Sequence, residues 1–300
     1  MSTMPSTFHV PADAARLPMT LPRLIEKKAL GEPIVMVTAY DYPSARAADS
    51  AGVDLVLVGD SGAMTVLGYD STVAVTLDEL LVLARATRRG LRMPFLVGDL
   101  PFGSYEISDE QALATAFRFI KEAGCDAVKL EGGGETSVKR ARAIVNAGIP
   151  VMGHVGLTPQ TATALGGYKA QGKQAGAALR IVREALALQE AGCFSVVFEA
   201  IPSAVTEAVM PQMVIPVIGI GAGPATDGQV LVFHDLLGIR EGRGAKFVQR
   251  YADLLDDMIG GVAAYAEDVR TKRYPGPEHG YAMDAAEVAD LHAALAAGDA

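Results

Sequence analysis

The chain has 300 residues, 50% of them apolar and 20% charged, with 26 Lys and Arg against 35 Asp and Glu for a formal net charge of −9. That acidic balance argues against a nucleic-acid backbone as partner, which needs clustered Lys and Arg, and no apolar stretch approaches the roughly 20 residues of a membrane span. The length and apolar share suffice for one large core, because (β/α) barrels run to roughly 250 residues as a single domain.

Residues 1–20 are rich in Pro, Ser, Thr and Ala, lack periodicity and carry no apolar leader, so they read as a mobile arm on a cytoplasmic protein. Residues 21–30 fit a short helix that plugs the bottom of a barrel. From Pro33 the alternation is regular. Short apolar runs at 34–38, 55–59, 95–98, 127–130, 151–153, 195–198, 217–219 and 231–233 read as strands buried on both faces. Between them 77–89, 109–122, 135–146 and 178–190 read as helices. Asp109 and Glu110 complement the dipole at the start of one, and Ser108 is placed to cap it. An Ala-Gly pair closes a helical stretch at Gly52, Gly124, Gly148 and Gly192, the usual site of a left-handed cap. Cys125 and Cys193 stand where two strands begin and read as small core residues of a reducing compartment. After Tyr274, Pro275-Gly276-Pro277 breaks the chain, and 284–297 reads as an Ala-rich helix. The expected organisation is an arm over 1–20, a barrel over 21–274 and a peripheral tail over 275–300.

Strands alternating with helices imply a parallel sheet with right-handed crossovers. A functional side chain at the end of strand after strand favours a closed barrel over an open sheet, which gathers its ligands at one switch point. Asp60, Asp99, Glu131, His154 and Glu199 each follow an apolar run, so in a barrel they surround the C-terminal mouth, where the reactive face lies. Packing such groups is costly unless something there uses them. They have no companions at zinc-ligand spacing. Carboxylates from separate strands suit a hard cation, and Mg²⁺ is the usual choice when positions stay open for water and substrate.

Each residue also has a plainer reading. Asp60 and Asp99 could cap the following helices. Lys129, two residues before Glu131 and so on the same side of its strand, could meet an anionic ligand or form a structural pair with an acid. His154 could be a core histidine bonded to backbone. Glu199 ends an apolar strand with no basic neighbour in sequence, a setting that suits a proton acceptor. The run GIGAGPATDG (219–228) fails G-x-G-x-x-G at Pro224 and lacks the Lys-Ser or Lys-Thr of a P-loop. It offers either a close backbone approach at the mouth or a tight turn.

The segments TAYDYPSA (38–45), VGDS (58–61), GYDST (68–72), DLPFGSYE (99–106), VKLEGG (128–133), GHVGLTPQ (153–160), GGYKAQGK (166–173) and IPVIGIGAGPATDGQVLVFHD (215–235) occur in order. Together they resemble the 3-methyl-2-oxobutanoate (ketopantoate) hydroxymethyltransferase family over roughly residues 21–250. Small departures are Lys173 where Arg is common, three Gly after Glu131, and Gly62-Ala63-Met64 after VGDS. The resemblance implies a (β/α)₈ TIM barrel of the phosphoenolpyruvate/pyruvate type and a Mg²⁺ held by Asp60, Asp99 and Glu131. It implies a 2-oxoacid substrate bound by Asp60, Ser61, Asp99 and Lys129 with His154 at the same mouth, and Glu199 as proton acceptor. It further implies 5,10-methylenetetrahydrofolate as one-carbon donor, the first committed step of pantothenate biosynthesis, and a homodecamer built as a pentamer of dimers.

Two other readings compete. One is a Mg²⁺-dependent 2-oxoacid C–C lyase on the same barrel, for which both cysteines lie at the wrong end of their strands. The other is a non-catalytic metabolite-binding barrel, which should have lost at least one of Asp60, Asp99, Glu131 or Glu199.

Overall fold

The computed structural model describes residues 16–242 and 244–298, so residues 1–15 of the expected arm lie outside the described residues. The chain divides between Ala252 and Asp253 into two compact units. In the first, β1 (Ile34–Thr38), β2 (Leu55–Val58), β3 (Phe95–Asp99), β4 (Ala127–Lys129), β5 (Val151–Gly156), β6 (Ser195–Glu199), β7 (Val217–Ile220) and β8 (Gly228–Leu231) close in chain order into a parallel barrel. Around it lie α1 (Leu21–Leu30), α2 (Tyr42–Ala51), α3 (Gly62–Thr65), α4 (Leu77–Gly90), α5 (Asp109–Ala123), α6 (Glu135–Asn146), α7 (Ala175–Glu190), α8 (Ser203–Val209) and α9 (Phe233–Leu236). The second unit carries α10 (Leu254–Arg270) and α11 (Ala285–Ala297), neither of which has a buried residue.

Strand alternation accounts for two separate cores. Leu55 and Leu57 point into the barrel, while Val56 and Val58 pack between sheet and helices. The same period of two sends Phe95, Val97, Ala127, Met152, Val197 and Ile218 inward, and Leu96, Val128, Val151, Val196 and Val217 outward. With both faces covered, the strands read in sequence as unbroken apolar runs. α1 presents Leu24 to the inner core beside Ile34 and Met36, which is the plug expected at the bottom. Ahead of it, Arg16 donates to the carbonyls of Asp49 and Val53, and the Met19 amide to that of Met93.

Helix ends follow their local chemistry. Gly52, Gly124, Gly148 and Gly192 all have positive φ, between 68° and 95°, a conformation that costs an L-residue about 1–2 kcal/mol. The Ser108 hydroxyl accepts from the Gln111 amide at the start of α5, and Thr76 and Glu79 form a capping box on α4. Cys125 and Cys193 are free and buried, and burial pushes both thiols up to about 12.

The eighth strand is a correction. It was expected at 231–233 but runs Gly228–Leu231, and the apolar Phe233 instead opens α9, its amide donating to the Thr38 hydroxyl at 2.9 Å. The cause is the β7–β8 connection, which spans only residues 221–227, too few for a helical crossover. The strand therefore resumes inside what reads as the end of a glycine-rich loop.

Candidate active site

Extending the inward register past the core generates the site. Phe95 and Val97 lead to Asp99, Ala127 to Lys129 and Glu131, Met152 to His154, and Val197 to Glu199. Asp60 and Ser61 follow where β2 turns into α3. All seven side chains line one cavity of about 230 Å³ at the C-terminal mouth, with Met64, Tyr168, Ile220 and Leu231 completing its wall. A larger hollow of about 870 Å³ lies beside the β7–β8 crossover, but its Lys28 is already paired with Asp227 at 2.7 Å and none of the seven residues reaches it.

Asp60, Asp99, Lys129, Glu131 and His154 are buried, whereas Glu199 keeps 15% of its side chain exposed. Lys129 lies opposite Asp99 in the β3–β4 register. Its Nζ donates to Asp99 Oδ1 at 2.8 Å and Oδ2 at 3.0 Å, and to Glu131 Oε1 at 3.4 Å. The structural-pair reading of Lys129 is thus realised within the site itself. Asp60 and Asp99 are joined by the Asp60 amide, which donates to Asp99 Oδ2 at 3.1 Å. Neither aspartate caps a helix, because α3 has no side-chain cap and α5 is capped by Ser108. His154 is no backbone-bonded core residue either. Its Nδ1 lies 3.3 Å from Glu131 Oε1 and its Nε2 3.3 Å from Glu199 Oε2, and both contacts are ion-pair approaches outside hydrogen-bond alignment.

The electrostatics follow from crowding three acids in a low-dielectric pocket. Burial, with repulsion from Asp99 and Glu131, raises Asp60 well above the usual carboxylate range despite Lys129 and Gln160. Burial likewise raises Asp99 against the opposing pull of Lys129. Glu131 goes the other way, since Lys129 and His154 outweigh its burial. Burial and the Lys129 charge both push His154 down, yet Glu131 and Glu199 prevail and hold it up at about 9. Lys129 also stays charged, its burial overcome by Asp99, Glu131 and Asp60.

This donor set fits a hard dication. Among the described residues Asp60 has no cationic partner, and its side chain accepts only from the Gln160 amide. A buried carboxylate in that position calls for positive charge, and oxygen donors suit Mg²⁺. The three acids do not form a closed cage, however. Among the described residues no group of three His, Cys, Asp or Glu is arranged to hold a metal, because Lys129 Nζ stands between Asp99 and Glu131.

Four contributions were not legible in the sequence. The Tyr40 hydroxyl lies 2.8 Å from Ser61 Oγ, and burial pushes its pKa up to about 12, so it stays protonated. Gln160, from the loop above β5, donates to the carboxylates of Asp60 and Glu131, and Tyr105, from the loop above β3, donates to Gln160 and accepts from the Glu131 amide. Ala200, directly after Glu199, has φ 49°, a strained non-glycine conformation of the kind that gathers at functional sites. Gln160 and Tyr105 stand in the GHVGLTPQ and DLPFGSYE segments, but an amide and a phenol carry no chemical signal until their partners are known. The glycine run resolves as a turn, since a Cβ at Gly221 or Gly223 would collide with Phe247 or Ser203.

A closed parallel barrel whose C-terminal mouth carries buried carboxylates, a lysine and a histidine defines a (β/α)₈-barrel enzyme. Solved structures share the fold: phosphonopyruvate hydrolase aligns with TM-score 0.57 over 94% of this chain and 97% of its own at 14% identity. 2,3-Dimethylmalate lyase, a PEP mutase/isocitrate lyase superfamily member, aligns with TM-score 0.55 over 92% and 98% at 16% identity. Sequence kinship is narrower. The family model for ketopantoate hydroxymethyltransferase matches residues 18–277, and the chain belongs to that family. The 3-methyl-2-oxobutanoate hydroxymethyltransferase 1 of Arabidopsis thaliana is 51% identical over 90% of this chain and 80% of its own. The enzyme of the same name from Moorella thermoacetica is 50% identical over 89% and 99%.

Proposed function

We propose that this enzyme transfers a hydroxymethyl group from 5,10-methylenetetrahydrofolate to 3-methyl-2-oxobutanoate, forming 2-dehydropantoate for pantothenate biosynthesis. The observation that carries this reading is the convergence of Asp60, Asp99, Lys129, Glu131, His154 and Glu199 on one cavity in a chain about half identical to relatives bearing that name. Asp60 and Asp99 would hold Mg²⁺, with Glu131 behind Lys129. A bound Mg²⁺ supplies positive charge where electron density builds on the keto oxygen of a 2-oxoacid as its β-carbon loses a proton.

The chain's own residues do the rest. Lys129 balances the anionic charge of site and substrate, and Ser61, held by Tyr40, offers a hydroxyl to the substrate carboxylate. Glu199, the one acid in the group open to solvent, takes the β-proton, and the charged His154 beside it keeps its carboxylate turned into the mouth. Water opens the two C–N bonds of the folate's methylene bridge, its two hydrogens going to the nitrogens as tetrahydrofolate leaves and its oxygen to the one-carbon unit; the β-carbon bonds to that carbon, and the oxygen takes a proton to become the hydroxyl. No helix of the described residues is long and apolar enough to cross a membrane, and we take the protein to act in the cytoplasm as a homodecamer, checked by light scattering of the purified chain.

The test is direct. The purified protein with Mg²⁺, 3-methyl-2-oxobutanoate and 5,10-methylenetetrahydrofolate should yield 2-dehydropantoate by NMR. Cleavage of a 2-alkylmalate with no transfer activity would instead favour the lyase reading.

A further inference from the structure

Gln160 is a buried polar side chain with both amide donors and its oxygen engaged. Its Nε2 donates to Asp60 Oδ2 at 3.1 Å and to the Leu100 carbonyl at 2.9 Å. Its Oε1 accepts from the Tyr105 hydroxyl at 2.7 Å, and its backbone amide donates to Glu131 Oε2 at 3.0 Å. One residue on the short turn Pro159–Thr161 therefore touches two of the acids at once, from the loop after β5, a strand that contributes neither.

The direction of each bond is forced. The Glu131 amide donates to the Tyr105 oxygen at 3.3 Å, so the phenol spends its acceptor role there and its own proton goes to Gln160 Oε1. Burial and the nearby Glu131 keep that phenol protonated. With Oε1 fixed by a donor, the NH₂ of Gln160 faces Asp60 and the Leu100 carbonyl, and that carbonyl can only accept. A flipped amide would oppose oxygen to carboxylate. Tyr105 is anchored in turn, since Arg140 Nε donates to its carbonyl at 3.0 Å. A relay from the Glu131 amide through Tyr105 and Gln160 thus ends on Asp60, which among the described residues has no ion-pair partner.

We propose that Gln160, locked in orientation by Tyr105, is a positioning residue that turns Asp60 into the mouth and prepares it for a divalent cation. The inference rests on the reading of Asp60 as a cation ligand. Groups that orient metal ligands are typically worth 10–100-fold in affinity, because a ligand free to rotate or to keep its proton must be ordered when the cation binds.

The experiment is calorimetric titration of Mg²⁺ alone into the parent protein, Gln160→Met, Tyr105→Phe, the double variant and Asp60→Asn, each first shown to melt cooperatively. Gln160→Met, which keeps length and volume but donates nothing, should weaken binding by about 10–100-fold. Tyr105→Phe, which frees the Gln160 amide and also takes an acceptor from the Glu131 amide, should weaken it less, and adding it to Gln160→Met should change little further. Parent-like affinity in Gln160→Met while Asp60→Asn abolishes binding would overturn the inference alone. Parent-like affinity in Asp60→Asn would overturn the ligand reading, and the inference with it.

Discussion

Asp60 carries the highest cost of the site, since it is buried beside two other acids with only an amide for a partner. Asp60→Asn should therefore raise the stability of the metal-free protein, on the order of 1–2 kcal/mol, while abolishing Mg²⁺-dependent turnover. Thermal melts without and with Mg²⁺ check this: the metal should raise the parent's midpoint and leave the variant's unchanged. A metal-free variant less stable than the parent would mean Asp60 holds the fold together in some other way. At this scale the residue types were legible, because an ionisable group closing an apolar strand is conspicuous. Their partners were not. That Lys129 grips Asp99 depends on the β3–β4 register, and that His154 sits between Glu131 and Glu199 depends on the tilt of neighbouring strands, neither of which is written in local sequence.

Among the elements, the strand ends set the precision of the site, and β5 shows how. Gly156 pairs with Glu199 across β5–β6 and has φ 99°, and a Cβ there would collide with the Glu199 carbonyl. Gly156→Ala should cost on the order of 2 kcal/mol or more, strain and clash together, and should lower kcat by shifting Glu199. Gly148, at φ 87° with nothing in reach of a Cβ, is the control. Gly148→Ala should lose about 1 kcal/mol with kcat unchanged, so denaturant unfolding and steady-state kinetics on the two variants separate backbone strain from positioning. Seven strands were legible to within a few residues because each lies in a short, largely apolar run. β8 was not: its residues alternate Gly228, Gln229 and Val230 rather than forming a run, and the seven-residue crossover before it hides where the strand begins. The plain apolar triplet that follows attracted the assignment instead.

For the whole molecule, the buried charge cluster couples stability to pH. His154 rises from an ordinary value of 6.5 to about 9 on folding, so it stabilises the metal-free fold fully below 6.5 and that contribution fades as pH rises through 9. Asp60 and Asp99, raised on folding, oppose the folded state once ionised, which adds a loss in the same direction as pH rises. The metal-free melting temperature should fall between pH 6.5 and 9.5, and His154→Asn should flatten that slope. An unchanged slope would place the titrating group elsewhere. The barrel architecture was legible from alternation and length, and the family from its segments. The division at Ala252 and Asp253 carries no compositional break and was not foreseen.

Glu199 is the group proposed to remove the β-proton, and deuterium wash-in tests that role without the folate step. Parent protein with Mg²⁺ in D₂O should exchange the β-hydrogen of 3-methyl-2-oxobutanoate, followed by NMR, with no folate added. Glu199→Gln keeps the side-chain volume and should still bind Mg²⁺ and the 2-oxoacid, but exchange should drop by about 10²–10⁴-fold, the usual worth of a positioned base. Exchange as fast in Glu199→Gln as in the parent would contradict the account and move the base to His154.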